Sequence, residues 1–268
     1  GMALDFSQSF TERTPRVVNA AKLHRAQARR KAKQFLVEGE NSVEAAVATG
    51  AATDLFVTER AADEFAEIVT TAEYMDVYTH AITDQAAKHL SDMVSTTGIF
   101  AVCTPALWTV GAALRGKPQF VAVGVETNDP GNAGTIVRIA DATGANAVIF
   151  AGDTVDPESS KVVRASAGSL FHLPVARERN IKDVIGQLRA QGLQIVATAM
   201  DGEVPLDQAS EVLQRPTAWL FGNEAHGLPA ELLELADHRV SIPIKGSAES
   251  LNLATAAAMC MWESSKAL

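Results

Sequence analysis

The sequence predicts an α/β protein built as two domains, and three observations carry the prediction. Short apolar runs alternate with amphipathic stretches along most of the chain, the βαβα pattern of strands packed against helices. Runs such as Trp219-Leu220-Phe221 are continuously apolar, as in strands covered on both faces of a largely parallel sheet. The periodicity lapses near Pro105 and Pro118, so residues 105–117 read as a linker between 1–104 and 118–268. At 268 residues and 47% apolar, the chain can fill two modest cores.

Residues 14–33 read as one polar helix. After Val18 its only large apolar side chain is Leu23, which places it at the surface or against a partner. Then come strand 35–37, helix 41–48 with Asn41 and Glu44 as a capping box, and strand 55–57. Helix 60–72, strand 77–79, helix 83–93 capped by Thr83, and strand 99–102 complete a compact sandwich of about 70 residues.

Beyond the linker the expected strands are 120–126, 146–151, 173–176, 193–199, 217–222 and 239–244. The helices between and after them are 132–143, 158–167, 181–191, 228–236 and 251–265, the last capped by Ser250. They should lie on both faces of the sheet.

Charge is unevenly distributed. The net value of −9 argues against a polyanionic partner, yet Arg13 to Lys33 holds eight basic residues and no acidic one. The rest of the chain then carries 15 basic and 32 acidic residues, a balance of −17. A solvated helix face is the ordinary reading of such a run, and a phosphate-binding arm is the functional one. Cys103 and Cys260 lie in apolar contexts without a CxxC or Cys/His cluster, so both are expected to be buried and reduced, and no metal is implied. Gly1 ahead of Met2 reads as a scar of tag cleavage. No apolar run is long enough to span a bilayer, and the expected location is the cytoplasm.

The GxGxxG fingerprint of a dinucleotide-binding first turn is absent. The turn after strand 120–126 reads Thr127-Asn128-Asp129-Pro130-Gly131-Asn132-Ala133-Gly134, which suits polar contact at a helix N-terminus. The glycine-bracketed loops come late: Gly222-Asn223-Glu224-Ala225-His226-Gly227 after one strand, and Gly246-Ser247-Ala248-Glu249-Ser250-Leu251-Asn252 after Val240-Ser241-Ile242-Pro243-Ile244. Glycines there allow a ligand to approach the main chain. Arg138 and Asp141 would share a helix face as an ordinary surface pair. Ser250 and Asn252 suit a helix cap, Glu224 an exposed loop acid, and His226 can titrate near neutral pH.

Together, Asn132-x-Gly134-x-x-x-Arg138, the Gly222-Asn223-Glu224 block and the Ser250-Leu251-Asn252 block resemble, in order and spacing, the three motifs of the SpoU/TrmH family of RNA ribose 2'-O-methyltransferases. The resemblance implies a SPOUT-type catalytic domain with a trefoil knot, preceded by a small L30e-like α/β RNA-binding domain matched more loosely through Lys31 to Gly39. It implies S-adenosyl-L-methionine as cofactor, with contacts at Thr198, Ala199, Gly222, Ile242 and Leu251. Asn132, Arg138, Glu224, Ser250 and Asn252 become the expected catalytic set. Arg29, Arg30, Lys31 and Lys33 become the RNA-gripping cations, and a homodimer through the C-terminal domain is expected. The implied substrate is structured RNA, ribosomal RNA ahead of transfer RNA, with a non-catalytic RNA-binding assembly factor as the alternative. Because a guanidinium stays protonated, Arg138 is assigned to phosphate or alkoxide stabilisation and not to the base role. Ala225 stands where the family commonly has glycine.

Overall fold

The computed structural model describes residues 4–268, so the reading of Gly1 and Met2 lies outside the described residues. The chain divides into two compact units, residues 1–106 with 158–172, and residues 107–157 with 173–268.

In the first unit, residues 14–33 form two helices, α1 (Pro15–Lys22) and α2 (Ala26–Ala32). Contrary to the expectation of a surface helix, Val17, Ala20 and Leu23 are buried in a core with Phe56, Leu90 and Phe100. The three lie at i, i+3 and i+6, so a narrow stripe of three apolar side chains is enough to seat α1. There follow β1 (Phe35–Glu38), α3 (Glu40–Ala48), β2 (Ala52–Val57), α4 (Glu59–Glu64), α5 (Ala66–Tyr74), β3 (Tyr78–Ala81), α6 (Asp84–Leu90) and β4 (Ile99–Cys103). The sheet order is β1-β4-β2-β3, with β4 antiparallel to both neighbours and β3 parallel to β2. Thr83 caps α6, accepting from the Ala86 N–H. Asn41 does not cap α3. Gly39, at φ 100°, is its N-cap, and the helix has already begun at Glu40. Residues 158–172, expected in the second domain, belong here. Ser42 Oγ donates to the Val163 carbonyl, Arg164 pairs with Asp92 at 2.7 Å, and Phe171 stacks on Phe35.

The second unit begins inside the expected linker. Val110, Ala113 and Leu114, on and just after the short helix α7 (Val110–Ala113), are core residues, so the middle of the expected linker is packed structure. Next are β5 (Phe120–Val125), α8 (Pro130–Thr143) and β6 (Val148–Ala151). After α9 (Ser160–Ser166), which lies in the first unit, come β7 (Val175–Glu178), α10 (Ile181–Ala190), β8 (Gln194–Thr198), β9 (Val204–Pro205), β10 (Thr217–Phe221), α11 (Ala230–Leu235), β11 (His238–Ser241) and α12 (Leu253–Ala267). The seven strands run β7-β6-β5-β10-β8-β11-β9 with every pairing parallel. Every residue of β5, β6 and β10 is buried, which accounts for their unbroken apolar runs. The short edge strand β9 went unpredicted because two residues carry no period. Cys103 and Cys260 are buried, and burial raises both thiols far above their ordinary pKa, leaving them protonated and unreactive.

Candidate active site

The candidate site lies in the second unit, at the carboxyl ends of its parallel strands, where open α/β sheets present their ligand sites. After β5 the chain turns sharply: Glu126 takes the left-handed conformation at φ 54°, and Thr127 is wholly buried. Pro130 opens α8 at its first turn, and the Asp129 carboxylate accepts the Asn132 N–H at 2.8 Å as the N-cap.

The loop after β10 folds back against this turn. A Cβ on Gly222 would lie 2.5 Å from the Gly227 carbonyl carbon, so only glycine fits. Asn223 and Gly227 exchange both backbone hydrogen bonds, at 3.1 and 2.9 Å. The Asn223 side chain then works in two directions. Its Oδ1 accepts the Ala225 and His226 N–H groups at 2.8 and 3.0 Å, and its Nδ2 donates to the Glu126 carbonyl at 2.7 Å. Glu224 accepts the N–H groups of Asn128 and Asp129, at 3.2 and 3.0 Å to Oε1. Ala225 does not take up a positive φ, so the residue that departs from the family pattern needs no glycine here.

The third loop closes the arrangement. Asn252 caps α12 by accepting the Thr255 N–H at 3.1 Å, and its Nδ2 donates to Asn132 Oδ1 at 3.1 Å. Ser250 is not the cap, because α12 begins at Leu253, two residues later than expected. Backbone amides, amide side chains and one carboxylate thus join Asn132, Glu224 and Asn252 from three distant stretches of sequence. Arg138, Ser250 and His226 are solvent-exposed, Arg138 on α8 and His226 at the tip of the second loop.

Thr198 donates to the Leu220 carbonyl at 3.1 Å, and the Ala199 N–H bonds to the Val240 carbonyl. Both are half-buried, as is Ile242, whereas Gly222 beside them is buried. Leu251 and Ile244, in the loop between β11 and α12, are 37% and 39% exposed, apolar side chains of the kind that pack on a flat, weakly polar ligand face. No group of three or more metal-ligating side chains occurs among the described residues.

The basic arm belongs to the first unit. Arg30, Lys31 and Lys33 are exposed there. Arg29 is only 7% exposed, and its Nη1 donates to the carbonyls of Leu23 and His24, each at 3.0 Å. Those carbonyls are freed where α1 ends, and a guanidinium is well suited to satisfy them, so Arg29 holds the helix junction instead of facing a partner. Asn223 and Asp129 carry the geometry yet were not singled out from sequence. The signal was present in the tendency of Asn and Asp side chains to bond backbone groups two or three residues away.

The SpoU rRNA Methylase family model matches residues 119–262, and the MRM3-like substrate binding domain matches residues 14–101. The chain is 32% identical to an uncharacterized tRNA/rRNA methyltransferase of Synechocystis over 97% of this chain and 93% of that one. It is 31% identical to the 23S rRNA (guanosine(2553)-2'-O)-methyltransferase RlmP of Bacillus subtilis, covering 95% and 98%. The AdoMet-bound rRNA methyltransferase of Sinorhizobium meliloti superposes with a TM-score of 0.84 at 28% identity, over 98% of both chains. AviRb of Streptomyces viridochromogenes, solved with AdoMet, gives 0.82 at 29% identity, over 94% and 98%. With three motif loops gathered at the strand ends and relatives matching over nearly its whole length, the chain belongs to the SpoU rRNA methylase family.

Proposed function

We propose that the chain methylates a ribose 2'-hydroxyl of ribosomal RNA, using S-adenosylmethionine. The observation that carries this reading is the hydrogen-bonded convergence of Asn132, Glu224 and Asn252 from the three motif loops. Thr198, Ala199, Gly222, Ile242 and Leu251 would hold the adenosine face through main-chain groups and apolar contact. When bound, the cofactor supplies an electrophilic methyl group on a sulfonium. Arg138, exposed and planar, would grip a substrate phosphate and stabilise the developing 2'-alkoxide. Asn132 and Asn252 would set the hydroxyl in line with the methyl group. In the first unit, Arg30, Lys31 and Lys33 would bind RNA phosphates.

We assign the C-terminal path to the trefoil knot of the family and the first unit to its L30e-like module. In support of the knot, β10 lies between β5 and β8, and α12 returns to pack on α8. Dimerisation through the second unit is supported by Trp262 and Met259, 55% and 42% exposed on α12. Sedimentation at the monomer mass at micromolar concentration would count against the dimer. For the activity, total RNA from a strain lacking the protein is incubated with protein and cofactor and mapped for 2'-O-methylation. One new methylated ribosomal nucleotide is expected; binding of RNA without any new mark would make the chain a non-catalytic RNA-binding factor.

A further inference from the structure

We propose that Asn223 is a positioning residue for methyl transfer, acting through the turn at 126–129 and touching neither RNA nor cofactor. The inference rests on the methyltransferase reading of the same site.

Glu126 is held in a left-handed conformation that non-glycine residues rarely adopt, so the turn needs an external restraint. Its carbonyl receives the Asn223 amide at 2.7 Å. Immediately downstream, the Asn128 and Asp129 N–H groups point to Glu224. Asp129 caps α8 at Asn132, and Asn132 meets Asn252. Asn223 therefore stands at the head of a series of hydrogen bonds that fixes where α8 begins. Its own loop is held separately, by Oδ1 and by the backbone exchange with Gly227. The two ends of one side chain thus have separable tasks: Oδ1 shapes the second loop, and Nδ2 sets the first.

Asn223→Asp separates them, because aspartate keeps the acceptor and the shape but cannot donate to the Glu126 carbonyl. In this variant of the 268-residue chain, amide exchange over residues 126–132 should quicken about tenfold or more, while exchange in β5 and β10 is unchanged. kcat should fall about tenfold or more, with the RNA KM and the cofactor Kd within about threefold of the parent. Combining it with Glu224→Gln should lose no more than the worse single variant, since both act on one turn. Asn223→Ser, a shorter acceptor, provides the same readings should the aspartate variant misfold. Unchanged exchange at 126–132, unchanged kcat, or fully additive losses would each overturn the assignment. Faster exchange in the aspartate variant of a parent that proves inactive on RNA would leave the positioning role of the hydrogen bond standing and remove only the methyltransferase reading.

Discussion

Asn252 donates to Asn132 across 120 residues of sequence, joining the N-terminus of α12 to that of α8, while its Oδ1 caps α12. One amide side chain thereby serves a helix cap and a site contact. Asn252→Asp retains the cap and is expected to keep stability within about 0.5 kcal/mol. Its loss of the donor should lower methyl transfer by about an order of magnitude or more. Asn252→Ala should add to that a destabilisation of about 1 kcal/mol, read by chemical denaturation. Equal activity of the aspartate variant and the parent would mean that the hydrogen bond to Asn132 plays no part in turnover.

Arg138 stands exposed on α8. Arg138→Ala should abolish turnover and leave S-adenosylmethionine affinity nearly unchanged in a calorimetric titration. Arg138→Lys keeps the charge but loses the planar fork, so bidentate phosphate gripping predicts a heavy loss for lysine too. A lysine variant with near-parental kcat would instead assign the residue a long-range electrostatic role.

Much of this architecture was legible because burial leaves a compositional trace. β5, β6 and β10 are buried throughout and read as apolar runs; Thr83 and its helix read as a cap followed by a period. What stayed hidden was tertiary. Nothing local in 158–172 indicates that it joins the first unit, since a helix of mixed polarity can pack on either. The α1 stripe of Val17, Ala20 and Leu23, only three residues, was too narrow to register against its cationic neighbours. Likewise, a cationic run cannot disclose that Arg29 turns inward while Arg30 and Lys31 do not, because that depends on where α1 ends. At the site, the motif blocks located the three loops, but that Glu224 receives the Asn128 and Asp129 amides depends on how the loops after β5 and β10 meet, which neither loop's sequence discloses.

That division within the basic run can be tested. Arg30, Lys31 and Lys33 replaced together by Gln should weaken RNA binding and reduce the slope of log K against log salt by about 0.7–0.9 for each phosphate no longer neutralised. Stability should hardly change. Arg29→Gln should do the reverse, destabilising the first unit by about 1–3 kcal/mol through unsatisfied carbonyls while leaving the salt slope intact. Filter binding across a salt series and hydrogen exchange in the first unit distinguish the two outcomes, and a reduced slope for Arg29→Gln alone would return that residue to the RNA-binding surface.

Asp54 provides the first unit with a pH dependence whose sign follows from its surroundings. Its carboxylate is buried and accepts Arg16 Nη1 at 2.7 Å, His80 Nε2 at 2.8 Å and Thr53 Oγ1 at 2.9 Å. Burial pushes its pKa up, but hydrogen bonds from His80, Thr53 and Arg16 together outweigh that effect and hold it below the ordinary carboxylate value. The folded protein therefore binds this proton less readily than the unfolded chain does. The stabilisation is fully present above the unfolded value of about 3.9 and is lost as pH falls through the lower folded value. Asp54→Asn should lower stability by about 1–3 kcal/mol at pH 7, and its deficit against the parent should shrink toward pH 3. Tryptophan fluorescence cannot report this, because all three tryptophans, Trp108, Trp219 and Trp262, lie in the second unit. Hydrogen exchange of the β2 and β4 amides reads the first unit directly, and a deficit that stays constant from pH 7 to pH 3 would show that ionisation of Asp54 adds nothing to the stability of the first unit.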